Sequence, residues 1–301
     1  MGWRTVMLTQ HAKVSVASHS LVVQTNEDTL RIPIDDIQVL LIGTTQVMIS
    51  AAAIAALAEG EAKVIFCGRD GQPITETVNE YSSRQSLQTI QKQNNWNQNR
   101  IEIMWTSIVS EKITNQIQVL NHLGLDGSNL GQELDALELN DITNREAVVA
   151  RRYFQQLFGP NFSRDDFDPR NDALNYGYSI LLSAINREIV ANGYLTALGI
   201  HHYNQNNLFN LGSDLMEPFR PIVDQFVYTY KFSELTPDVK FGLVDLLNLE
   251  MTINGRQAIL RNAVAEHVNR CLRYLSGELD EFEIEVNIPN EVSSHAINDH
   301  V

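Results

Sequence analysis

The chain has 301 residues, 44% hydrophobic and 20% charged, which is ordinary for a globular protein and enough for one large or two modest domains. No apolar run approaches the ~18 residues of a spanning helix, the start Met1-Gly2-Trp3-Arg4-Thr5 lacks a leader pattern, and Cys67 and Cys271 have no partners at metal-ligand spacing, so a reduced, cytoplasmic protein with no membrane partner is expected. The net charge of -15 counts against generic nucleic-acid binding, but seven acids and no Lys or Arg lie from Gly277 to the C-terminus, an acidic tail, while arginines cluster at Arg145, Arg151, Arg152, Arg164 and Arg170.

The first stretch predicts short β-branched strands over Arg4 to Leu8, Lys13 to Val16, Ser20 to Gln24, Thr29 to Ile34 and Ile37 to Ile42. His19-Ser20 and Asn26-Glu27-Asp28 supply turn chemistry between them. Val47 to Ala58 predicts a short buried helix, and Ala62 to Cys67 a buried strand ending at Gly68. These form a β-rich domain over residues 1–75. From about Tyr81 the period turns helical, with helices over Gln85 to Gln93 and Trp96 to Leu123, then a Gly- and Asn-bearing loop over Gly124 to Asn140. Further helices are predicted over Asn144 to Phe158, Ala173 to Gly199, Pro218 to Tyr230, Val239 to Asn248 and Arg256 to Ser276. The expected class is α+β: a small β-sandwich-like domain, a larger all-α domain over 76–276, and a tail over 277–301.

Phosphate-binding glycine loops, Cys–His zinc patterns and nucleophile elbows are absent. Three polar positions stand out in apolar helical surroundings. Glu146 ends a Thr143-x-x-Glu146 pattern, for which, taken alone, a capping box is a better explanation than chemistry. His201 and His202 follow Leu198-Gly199-Ile200, where an imidazole more often satisfies terminal carbonyls than binds metal or carries protons. Glu217 sits between Met216 and Pro218 with apolar residues on both sides, so it needs either Arg220 or a cation as partner; Asp214 and Glu217 also suit a helix N-terminus.

Four segments, taken in order, resemble the integrase family of CRISPR adaptation, most closely the branch that accompanies single-protein RNA-guided nuclease effectors (type II). They are Gly2-Trp3-Arg4-Thr5-Val6 with His11-x-Lys13; Asn144-Arg145-Glu146 running to Leu157-Phe158-Gly159; Asn175-Tyr176-Gly177-Tyr178; and Gly199 through Asn207-x-x-Asn210-Leu211 to Asp214-Leu215-Met216-Glu217-Pro218-Phe219-Arg220-Pro221-x-Val223-Asp224. The resemblance covers nearly the whole chain to about Ser276. It implies an N-terminal dimerisation domain and a helical catalytic domain holding one Mg²⁺ or Mn²⁺ on Glu146, His202 and Glu217. The choice of His202 over His201 follows the 15-residue step to Glu217 expected in this branch. The chain departs from the wider family in ending the set with Glu rather than Asp, and in placing Ala147 where Gly often follows the glutamate.

The implied reaction is metal-dependent joining of a 3′-hydroxyl of captured foreign DNA to the repeat array, with the metal polarising the phosphate. The implied partners are double-stranded DNA (captured fragment and repeat), a second copy of the chain, and a small adaptation subunit completing a heterohexameric complex. Arg145, Arg152, Arg164 and Arg170 are candidates for gripping DNA phosphates, against the alternative that they pair with Asp165, Asp166, Asp168 and Asp172. Rival readings are a structure-selective nuclease resolving branched DNA and a non-catalytic DNA-binding scaffold.

Overall fold

The computed structural model describes residues 4–77 and 87–290. Gly2-Trp3, the change of texture at Tyr81, and Glu291 and Asp299 of the acidic tail lie outside the described residues. The chain divides into two compact units, Met1–Ser82 and Ser83–Val301.

Among the described residues of the first unit, eight strands form two four-stranded sheets. One contains β1 (Arg4–Leu8), β5 (Ile37–Ile42), β7 (Lys63–Cys67) and β8 (Pro73–Glu76) in spatial order, the first three parallel and the last antiparallel. The other contains β4 (Thr29–Pro33), β3 (Ser20–Gln24), β2 (Ala12–Ala17) and β6 (Val47–Ile49). Val14, Leu21 and Val23 of this sheet share one apolar core with Leu40, Ile42 and Val64 of the other. β5 and β7 are buried nearly throughout, as parallel strands covered on both faces must be.

The helix expected over Val47 to Ala58 is shorter and later. Val47–Ile49 pairs in parallel with β2, and Ser50 turns the chain, its hydroxyl accepting the Ala53 N–H to open α1 (Ala51–Glu59). An unbroken apolar run carries no period by which to separate strand from helix, and the serine cap marks the true boundary.

The second unit is dominated by helices: α2 (Leu87–Asn94), α3 (Gln98–His122), α4 (Ser128–Asp135), α5 (Arg145–Phe158), α6 (Pro169–Ala191), α7 (Asn210–Met216), α8 (Arg220–Thr229), α9 (Pro237–Asp245) and α10 (Leu260–Leu275). The two long helices, α3 and α6, are its axis. Gly177 lets α6 approach α8 closely, since a Cβ there would lie 2.5 Å from Val223. The loop predicted from Gly124 to Asn140 contains α4, and α6 ends at Ala191 rather than Gly199, leaving residues 192–209 irregular. A small sheet joins the helices, with β9 (Glu250–Ile253) between β10 (Arg256–Ile259) and β11 (Val286–Asn287), so Arg256 begins a strand rather than the last helix. Among the described residues no helix is long and apolar enough to cross a membrane.

Residues 277–290, read as the start of a solvated tail, are folded. Phe282, Val286 and Ile288 are buried, and Gln225 donates to the carbonyls of Pro289 and Asn290. The Val286 N–H donates to Glu111 on α3. Burial pushes the Glu111 carboxyl up to about 7 against an ordinary 4.5; Glu285 adds to the rise and the Val286 N–H opposes it. The folded protein therefore keeps a proton on Glu111 that the unfolded chain loses near pH 4.5. This group's contribution to stability is complete below that pH and disappears as pH rises towards 7 and beyond. Urea unfolding at pH 5 and pH 8 should show the wild type losing about 2–3 kcal/mol more than Glu111→Gln over that range. Parallel pH profiles for the two proteins would dismiss this account.

Candidate active site

The turn before α5 explains why Glu146 is available for chemistry. Asn140, Asp141 and Asn144 adopt left-handed backbone (φ 59°, 48° and 54°), which short Asn and Asp side chains tolerate best among non-glycine residues. That twist aims the buried Asp141 carboxylate at the first turn of α5, where it accepts the N–H of Arg145 (2.6 Å) and of Glu146 (3.0 Å). The capping box read from Thr143 and Glu146 does not form: Asp141 caps the helix, and Thr143 takes the Arg145 guanidinium instead. Relieved of capping, the Glu146 carboxylate turns to Lys112 on α3.

Lys112 also pairs with Glu217, which is buried where α7 gives way to α8 through a short 3₁₀ turn. Arg220 approaches Glu217 from the other side, its Nε 3.5 Å from Oε1. Asn115, three residues along α3 from Lys112, donates to the Pro218 carbonyl (2.8 Å) and ties this turn to the same helix. Burial raises Glu217, but Arg220 and Lys112 more than cancel it, leaving the carboxyl below the ordinary glutamate value. Burial likewise lowers Lys112, and Glu217 and Glu146 overcome it, so the ammonium is held above the ordinary lysine value. Glu217 Oε2 faces that ammonium but accepts no hydrogen bond of proper geometry.

The histidine loop is organised by Asp214, fully buried in α7. Its Oδ2 accepts the N–H of Ile200 (2.7 Å) and His201 (3.1 Å), and its Oδ1 accepts the N–H of His202 (3.0 Å) and sits 2.6 Å from His202 Nδ1. Gly199 is required for the approach, because a Cβ there would lie 2.7 Å from Asp214 Oδ2 and 2.5 Å from the His202 carbonyl. The hydrogen bond to Asp214 raises the His202 imidazolium above the ordinary histidine value. It also fixes the neutral ring as the Nδ1–H tautomer, leaving the Nε2 lone pair available. His201 instead stacks on Trp105 with ring centroids 4.0 Å apart, and burial lowers its pKa. The two neighbouring histidines thus have different surroundings.

Of the three residues singled out as ligands, Glu146 and Glu217 meet on one ammonium, while His202 lies near enough for the charge of Glu217 to act on it. Among the described residues no three His, Cys, Asp or Glu side chains are gathered closely enough to hold a metal ion as they stand. Lys112, Asp141 and Asp214 complete the arrangement. Asp214 was legible only as a helix-terminal acid, and Lys112 was missed, its one signal being a charge set between Val109 and Ile113 on the apolar face of α3.

Beside the paired carboxylates opens a cavity of about 620 Å³ whose wall includes Lys112, Glu146, Arg151, Phe154, Arg164 and Arg220. At its floor Tyr178 donates to the buried Asp224, which burial pushes up to about 6. Of the four arginines named for DNA, only Arg164 reaches this cavity, donating to Asn171 and Asn175 and lying over the Phe154 and Tyr178 rings. Arg145 and Arg152 both grip Glu133 (2.7 and 2.6 Å), and Arg170 pairs with Asp168.

A family model described as CRISPR associated protein Cas1 matches residues 5–263. The chain is 30% identical to a CRISPR-associated endonuclease Cas1 from Neisseria meningitidis, over 96% of each chain. It is 27% identical to a second such endonuclease from Saccharolobus solfataricus, over 88% of this chain and 86% of the other. Among solved structures, a casposase bound to integration product superposes with a TM-score of 0.77 at 20% identity, covering 93% of both chains. A CAS1 protein from Thermotoga maritima gives 0.74 at 17%, covering 91% of this chain and 97% of that one. At these identities the structural matches speak for the fold.

Proposed function

The chain belongs to the CRISPR-associated protein Cas1 family, and from that premise we propose that it is a metal-dependent DNA endonuclease and integrase of CRISPR adaptation, joining 3′-hydroxyl ends of captured DNA to the repeat array. The observation that carries the reading is the meeting of Glu146 and Glu217, from elements far apart in sequence, on a single cation position at the wall of an arginine-lined cavity. Glu217 Oε2, buried without a hydrogen bond, and the Nε2 lone pair of His202 complete an oxygen–nitrogen donor set. These three residues would hold Mg²⁺ or Mn²⁺, for which mixed carboxylate and imidazole donors are suited. A metal bound there supplies Lewis-acid polarisation of a phosphate. Asp214 orients the imidazole, and Arg151, Arg164 and Arg220 offer charge to the flanking phosphates.

Two structural matches bear on partners. The casposase is bound to an integration product, and a Cas6-RT-Cas1--Cas2 complex contains a chain of which this one covers 35%, with a TM-score of 0.70. They support DNA and a small second subunit as partners of this chain. We propose further that the DNA is double-stranded and that the chain acts in the cytoplasm as a homodimer formed through the β-rich unit and completed to a heterohexamer. The deciding experiment incubates the purified chain, with and without the small adaptation subunit, with a labelled duplex and a supercoiled repeat-bearing plasmid. Mn²⁺-dependent attachment of label to the repeat boundary is the expected result. Cutting of branched DNA without joining would replace integration by a resolving nuclease, and no activity in any metal would leave a DNA-binding scaffold.

A further inference from the structure

The position of Lys112 asks for an explanation that the reaction alone does not give. It lies on the face of α3 that buries Met104, Trp105, Ile108, Val109 and Ile113, and its side chain is only 5% exposed. An ammonium in such a place is costly unless it is paired. Its two partners are Glu146 and Glu217, the two carboxylates assigned above to the metal. With Arg220 beside Glu217, two cations face two anions, and the cluster is neutral without a divalent ion.

We propose that Lys112 is a tethered stand-in for the divalent ion: it holds Glu146 and Glu217 together in the metal-free protein and gives up their oxygens when a metal enters. The inference rests on the metal reading above and adds a displacement step to it. An ammonium and a divalent cation repel, and both cannot sit on the same pair of carboxylate oxygens. The ion must therefore compete with Lys112, and the displaced ammonium needs somewhere to go. The structure provides it, because Lys112 is part of the cavity wall together with Arg151 and Arg164. Its four-carbon stem lets the Nζ swing away from the carboxylates into that space, where a phosphate would be its partner. Metal entry and DNA phosphate binding then favour one another through a single side chain. A purely structural Lys112 would instead keep its ion pairs in every state, and its removal would disturb the ligands rather than free them.

The test is Mn²⁺ titration of the full chain by calorimetry, comparing wild type with Lys112→Met, Lys112→Arg and Glu217→Gln. Removing the competing charge should tighten Mn²⁺ binding by about tenfold or more, the scale on which groups around metal ligands shift affinity. Lys112→Arg, which keeps the charge, should bind like the wild type, and Glu217→Gln should bind much more weakly. Equal or weaker binding by Lys112→Met, with Glu217→Gln still impaired, overturns the displacement while leaving the metal site standing. No Mn²⁺ binding by wild type or Lys112→Met overturns both. Should Lys112→Met fail to fold, amine-reactive labelling of the wild type, read by mass spectrometry, decides the matter. Mn²⁺ should raise the modification of Lys112 relative to the other lysines, and an unchanged ratio overturns the proposal.

Discussion

Glu217→Ala, Glu146→Ala and His202→Ala should each lower the initial rate of Mn²⁺-dependent strand joining by at least about 100-fold, the order lost when groups that stabilise transition-state charge are removed. The three should part company in stability. Glu217 is buried between Lys112 and Arg220, so its truncation leaves two cations short of a partner and should cost roughly 3–5 kcal/mol. Glu146 is partly exposed, and Lys112 keeps Glu217 when it goes, so that variant should unfold within about 1 kcal/mol of the wild type. His202 can be removed while Asp214 retains its three backbone N–H donors, so the loop should persist. His201→Ala loses a ring that stacks on Trp105 and meets the His202 ring edge-on, and should keep most of its joining activity. Plasmid joining assays and urea denaturation on the same four proteins give both readings. Loss of joining in His201→Ala with retention in His202→Ala would move the imidazole role to His201.

Strands β1 to β5 and β7 were legible because β-branched residues and turn chemistry are local signals, whereas β8, opened by Pro73 just after the turn at Gly71, was missed. The strand β6 was hidden inside an apolar run, since only its pairing with β2 distinguishes it from the helix that follows. β9, β10 and β11 escaped for a related reason: they are two to four residues long, and β11 pairs with a strand more than thirty residues earlier, inside a stretch whose charge reads as solvated. Charge was misleading there because Phe282, Val286 and Ile288 alternate with acids that face solvent.

The site followed a different logic. Glu146, His202 and Glu217 each had an adequate structural explanation alone, and only the order of motifs shared with a family gathered them. The structure removes the explanation for Glu146, because Asp141 takes the cap, and enlarges it for Glu217, which has both Arg220 and Lys112. Lys112 precedes Glu146 by 34 residues in sequence, and nothing local to α3 marks it as more than a polar interruption of an apolar face.

Asp214 supports the sharpest remaining expectation, because its geometry leaves asparagine no orientation that keeps both the backbone bonds and the Nδ1–H ring. Each carboxylate oxygen accepts two donors: Oδ2 those of Ile200 and His201, Oδ1 the His202 N–H and the His202 ring. An Asn in the same place can turn its carbonyl oxygen to only one of these pairs, and its NH₂ then meets at least one backbone N–H of the other head-on. With the NH₂ on the Oδ2 pair two backbone N–H donors lose their acceptor, and with it on the Oδ1 pair the His202 N–H does, at roughly 1–3 kcal/mol each, so Asp214→Asn should lose about 1–6 kcal/mol of stability despite its nearly identical shape. If the NH₂ faces the Oδ1 pair, the ring can keep a bond only by accepting at Nδ1, which places its proton on Nε2 and removes the lone pair that a metal would use. If it faces the Oδ2 pair, the turn at Gly199 opens and carries the ring with it. Either outcome should reduce strand joining by about 10–100-fold, the usual effect of losing the group that orients a ligating histidine. Denaturation and joining rates measured well below the melting temperature separate the two effects. A variant that is less stable yet joins DNA at the wild-type rate would reduce Asp214 to a clip for the loop, with no part in orienting His202.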